Sequence, residues 1–150
     1  MASDIVCNLD KEAEQALHNL FQNDSGQSAV VLKCSMRTAT VSVDEVLEGV
    51  TPQQLVEDAD LAGEMRIVAF KCGWRVPSDP HGKVVPSQVL LWFNPAETSD
   101  IALKRTYGPT VDHLAHVYRS FFKRSYQINN GSDFTVDWLS SQNYSLELSK

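Results

Sequence analysis

The chain has 150 residues, 43% of them apolar and 21% charged, with a formal net charge of −6. That length suits one ordinary domain with a real core, and the balance of apolar to charged residues excludes wholesale disorder. No apolar run approaches the roughly 18 to 20 residues of a membrane span, and an acidic chain is poorly matched to phosphate-neutralising nucleic-acid binding.

The segment from Met1 to Cys7 has no basic start and no long apolar stretch. It is not a secretory signal, so the chain is expected in the cytoplasm, with the nucleus also open to it. Cys7, Cys34 and Cys72 are an odd, widely spaced set. They make neither a disulfide framework nor a zinc pair. Charge is unevenly spread: residues 1–75 hold 6 Lys/Arg against 12 Asp/Glu, and residues 76–150 hold 7 against 7. Within the neutral half, Lys104, Arg105, Arg119, Lys123 and Arg124 form a local basic strip that suits an acidic protein surface or anionic lipid heads.

Asp10 to Phe21 is predicted as a first helix, with Asp10 as N-cap, Glu12 and Glu14 in the first turn, and Ala13, Leu17 and Leu20 as its apolar stripe. Ser28–Cys34 reads as a doubly buried strand, and Thr40–Asp44 alternates with period 2 as its hairpin partner. Thr51 and Pro52 open a short helix running towards Asp60. Met65–Cys72 and Ser87–Phe93 are a second pair of strands, joined by a loop containing Pro77, Pro80 and Gly82. From Thr98 to about Phe122 runs the longest helical pattern, with Tyr107, Val111, Leu114, Tyr118 and Phe121 on one face. Gly108-Pro109 interrupts it, because proline removes an amide donor and clashes with the preceding turn. Either two helices abut there or one long helix is kinked. Ser125–Ile128 is a short strand and Ser132–Leu139 a last helix. The simplest closure is an α+β domain: a five-stranded mixed sheet with helices on both faces.

Little here points to catalysis. His113 and His116 lie three apart beside Asp112, but no further Cys or His completes a zinc set by spacing. There is no glycine-rich phosphate loop and no nucleophile elbow. The expectation is a binding protein without enzyme activity or cofactor; a small enzyme or ligand-binding domain using the two histidines is the competing class.

Four segments together resemble the actin-depolymerizing-factor homology (ADF/cofilin) superfamily, and within it glia maturation factor. They are Ser3-Asp4-Ile5-Val6-Cys7-Asn8-Leu9-Asp10, Glu48-Gly49-Val50-Thr51-Pro52-Gln53-Gln54-Leu55, Lys104-Arg105-Thr106-Tyr107-Gly108, and Ser132-Asp133-Phe134-Thr135-Val136-Asp137-Trp138-Leu139. The likeness covers nearly the whole chain, in short pieces. It departs from the superfamily at Arg105, where methionine is usual, and at Gly108-Pro109, where a small polar pair is usual. At Val111 the cofilin branch has lysine, and the loss weighs against cofilin-mode filament binding.

The resemblance implies one ADF-homology domain over residues 1–150, with a flexible arm at 1–9, a kinked long helix and a frayed tail at about 143–150. It implies a monomer that sets its long helix and arm into the cleft between two subdomains of actin or an actin-related protein. Ser3, Asp4, Ile5, Lys104, Arg105 and a partly exposed Tyr107 would form that contact, with Lys123 and Arg124 as a second one. Ser3 is then a candidate phosphorylation site, and phosphoinositides are candidate ligands of the basic strip. The implied function is binding of the actin-related-protein branching complex, with debranching and inhibition of nucleation. The alternative within the class is cofilin-like binding of actin monomers or filaments, with severing.

Overall fold

The computed structural model describes residues 6–22, 28–58, 61, 64–74, 85–95, 101–142 and 144–145. In chain order they form β1 (Asn8–Leu9), α1 (Lys11–Gln22), β2 (Ser28–Ser35), β3 (Thr40–Glu48), α2 (Pro52–Asp58), β4 (Arg66–Trp74), β5 (Val85–Phe93), α3 (Ile101–Val117), β6 (Phe122–Ile128), a 3₁₀ turn (Gly131–Asp133), α4 (Val136–Ser141) and β7 (Tyr144–Ser145).

Local chemistry sets the helix starts. Asp10 Oδ1 accepts from the Ala13 N–H at 2.8 Å, satisfying one of the free donors at the head of α1. At α2, Thr51 Oγ1 accepts from the Gln54 N–H at 3.2 Å while Gln54 Oε1 accepts from the Thr51 N–H at 3.0 Å. That reciprocal pair is a capping box, with Pro52 at the first helical position, where its missing N–H costs nothing. Thr135 caps α4, its Oγ1 accepting from the Trp138 N–H at 3.1 Å.

The sheet runs β1-β3-β2-β4-β5-β6, with β7 added alongside β4. β2 pairs antiparallel with both β3 and β4, and β4 with β5; β1–β3 and β5–β6 are parallel. Alternation along the strands builds two cores. Val30, Leu32, Ile67, Ala69 and Leu90 face α1 and α3. Val31, Val68, Phe70, Leu91 and Phe93 face α2, the 3₁₀ turn and α4, with Phe134 edge-on to both phenylalanines. Because both faces are covered, β2, β4 and β5 are near-continuous apolar runs, as was expected for β2.

The mixed sheet between helices is as expected, with several differences of extent. There are seven strands rather than five, the extra two being two-residue pieces at β1 and β7. Such short pairings have no periodicity to reveal them. The expected arm at 1–9 is therefore already anchored from Cys7 on: that residue is buried, and Asn8–Leu9 pair with Thr40–Val41. α3 is one helix with Pro109 inside it, so the alternative of two abutting helices is set aside. It ends at Val117, and Phe121 lies in the following turn, stacked on Phe21 at 4.2 Å. β6 starts three residues earlier than expected, at Phe122. The expected helix over Ser132–Leu139 is a 3₁₀ turn followed by α4, because Thr135 takes an extended cap conformation between them. The loop containing Pro77, Pro80 and Gly82 lies outside the described residues.

Candidate partner-binding face

α3 has one face locked down and one free. Thr106, Tyr107, Thr110, Val111 and Leu114 are buried at three- and four-residue spacing against the sheet. The Tyr107 hydroxyl accepts from the Cys34 N–H at 2.9 Å, fixing the helix to the end of β2. Burial pushes the Tyr107 phenol up to about 12, partly opposed by that hydrogen bond. Burial also raises the Cys34 thiol, with the adjoining Cys7 thiol adding to the effect. Tyr107, expected to be partly exposed, is instead 2% exposed with its hydroxyl occupied, so it is a core residue. Gly108 passes over the Trp92 indole, where an added Cβ would stand 3.4 Å from the ring. Lacking a Cβ, it also escapes the Cβ part of the clash that Pro109 imposes on a preceding residue in helical conformation.

The free face starts at Ile101, which is 65% exposed, and continues through half-buried Lys104 and exposed Arg105. Residues three and four apart share one helix face, so an apolar side chain and two cations sit together. Two cations elsewhere are used internally: Arg66 bonds Asp44 at 3.0 Å and Glu64 at 2.6 Å, and Lys33 lies 3.8 Å from Asp44. Among the described residues Lys104 and Arg105 make no ion pair. Ile101 was not singled out from the sequence, although it is an apolar residue that lies off the Tyr107–Val111–Leu114 stripe.

The root of the N-terminal arm meets this same helix. Cys7 N–H donates to Thr110 Oγ1 at 2.9 Å, and Thr110 in turn donates to the Thr106 carbonyl at 2.7 Å. Ser3, Asp4 and Ile5 lie outside the described residues, as does the side chain of Lys123. Arg124 is exposed, but its register partner Val89 belongs to the α2/α4 core. Neighbours in register point the same way, so Arg124 leaves the sheet on the face away from α3. The basic strip of the sequence is thus divided between two faces. His113 and His116 are both exposed, and no group of three metal-ligating side chains occurs among the described residues. No described helix is long and apolar enough to cross a membrane.

This arrangement of a mixed sheet with two helices on each face is the actin-depolymerizing-factor homology fold. The solution structure of glia maturation factor from Caenorhabditis elegans superposes with a TM-score of 0.74 at 14% identity, over 95% of this chain and 99% of that one. Plasmodium berghei actin depolymerization factor 2 gives 0.68 at 14% identity, over 95% and 98%. Human coactosin-like protein gives 0.68 at 16% identity, over 91% and 97%. No family model matches the chain, and no curated protein matches it in sequence.

Proposed function

We propose that this protein is a non-catalytic regulator of the actin cytoskeleton that acts in the cytoplasm by binding an actin-fold subunit. In the glia-maturation-factor-like form of this reading, it engages the actin-related-protein branching complex, removes branches and restrains new nucleation. One observation carries it: Lys104 and Arg105 stand free of internal ion pairs beside exposed Ile101, on a helix whose other face is locked to the sheet. An apolar centre ringed by cations fits an acidic cleft on a partner, and Arg105 adds bidentate carboxylate recognition. Tyr107 is no longer part of the contact; Ile101 takes its place. Ser3, Asp4 and Ile5 would extend the contact from the arm rooted at Thr110, and Lys123 and Arg124 would form a separate, second contact, to protein carboxylates or phosphoinositide heads.

The test is a branched-filament assay with the purified protein. Loss of branches without shortening of unbranched filaments, together with capture of the branching complex, is the expected result. Strong co-pelleting with filaments and severing would favour the cofilin-like mode. No interaction with either would overturn the reading. Phosphorylation of Ser3 would add about −2 of charge to the arm and oppose an acidic partner. Ser3→Asp is accordingly expected to weaken capture, and unchanged affinity would remove that switch.

A further inference from the structure

The sheet face away from α3 carries a groove of about 640 Å³ between α2 and the Asn130–Val136 segment. Its size is that of cavities that hold ligands. Val56, Phe134 and Val136 give it apolar walls, and Val136 is 46% exposed on the first turn of α4. Among the described residues no Lys or Arg lines it. One carboxylate, Glu57, is part of the lining, and Asp58, Asp133 and Asp137 each adjoin a lining residue in sequence. All four are exposed and, among the described residues, none makes an ion pair. Glu57 and Asp58 end α2, where the partial negative charge of the helix C-terminus disfavours anions. Helix stability therefore does not account for them.

We infer that this groove docks a basic amphipathic segment of a partner protein, seating apolar side chains against Val56 and Val136 while its lysines or arginines meet the four carboxylates. The carboxylates come from three separate elements, α2, the 3₁₀ turn and α4, which matches several cations spaced along a polypeptide rather than one small cation. The site is independent of the α3 face, since Lys104 and Arg105 lie on the other side of the sheet.

The experiment titrates the protein into a short fluorescent Leu/Lys amphipathic peptide, with a Leu/Glu peptide of equal length as control, and maps binding by amide chemical shifts. Saturable binding of the Leu/Lys peptide alone is expected, with shifts centred on Val56, Ser132 and Val136. Val136→Ser, and separately Glu57→Gln with Asp58→Asn, should each weaken it by about tenfold, as loss of buried apolar contact and of rim charge predicts. The double charge variant removes anions that the α2 dipole opposes, so its melting temperature should not fall. Lys104→Ala with Arg105→Ala should leave the affinity unchanged. Absence of saturable binding, equal binding of the Leu/Glu peptide, shifts centred on α3, or unaltered affinity in the groove variants would each overturn the inference. So would self-association of the protein that Val136→Ser abolishes, which would assign the groove to a second copy of this chain.

Discussion

The Cys7 backbone N–H and the Thr110 hydroxyl, 103 positions apart, meet at 2.9 Å in a buried hydrogen bond. The same hydroxyl donates to the Thr106 carbonyl at 2.7 Å, so it works in both directions at once. Through it the start of the sheet, the root of the arm and the middle of α3 are one joint. A partner that engages the root of the arm and the helix together finds those two already aligned, which reduces the ordering cost of binding.

Thr110→Val keeps the shape of the side chain and removes the acceptor. The Cys7 N–H is then left buried without a partner, which costs about 1–3 kcal/mol. Urea denaturation should show that loss, whereas Thr110→Ser, which keeps the hydroxyl, should lose less. Equal stability of Thr110→Val and the parent would show that the joint carries no energy.

Tyr107 gives a pH signature. Its phenol is pushed up to about 12 in the folded protein from an ordinary value of 10. An acid whose folded pKa is raised keeps its proton more firmly when folded, so its stabilising contribution is complete below about pH 10 and is lost as pH rises towards 12. Urea midpoints measured upward from pH 9 should therefore fall more steeply for the parent than for Tyr107→Phe. Parallel pH profiles would contradict the buried, hydrogen-bonded phenol. At neutral pH the same variant frees the Cys34 N–H and should cost about 1 kcal/mol.

Much of this architecture was legible in the sequence because local chemistry and tertiary packing agree. Asp10, Thr51 and Pro52 mark helix starts by capping chemistry, and the runs in β2, β4 and β5 are apolar because helices cover both sheet faces. What was hidden depends on distance. Tyr107 belongs to a stripe that any amphipathic helix shows, and only the fold places its hydroxyl on Cys34. Pro109 signals an interruption locally, yet packing of Thr106, Tyr107, Thr110 and Val111 carries one helix through it. The α2/α4 groove joins Glu57 to Val136, which no spacing rule connects. Lys104 and Arg105 could be read as cations on a helix, but their freedom from internal pairing could not.

Lys71 supplies what α1 lacks. α1 has no basic residue in its last turn, and the buried Lys71 ammonium reaches in from β4 to donate to the Leu20 carbonyl at 3.2 Å. A cation at a helix C-terminus is favoured by the dipole, more so when partly desolvated. Lys71→Met preserves the aliphatic stem and is expected to destabilise the protein by about 1–3 kcal/mol, read by thermal unfolding. Unchanged stability would mean that the ammonium gains nothing from α1.

The central claim is that the exposed side of α3 is a binding surface, and the double variant Lys104→Ala with Arg105→Ala tests it most directly. The measurement is affinity for the actin-related-protein branching complex, taken alongside the melting temperature. Removing two cations that make no internal ion pair should leave the melting temperature unchanged while affinity falls by about tenfold or more, since rim charges act on association and not on folding. Full affinity in a folded variant would contradict the account.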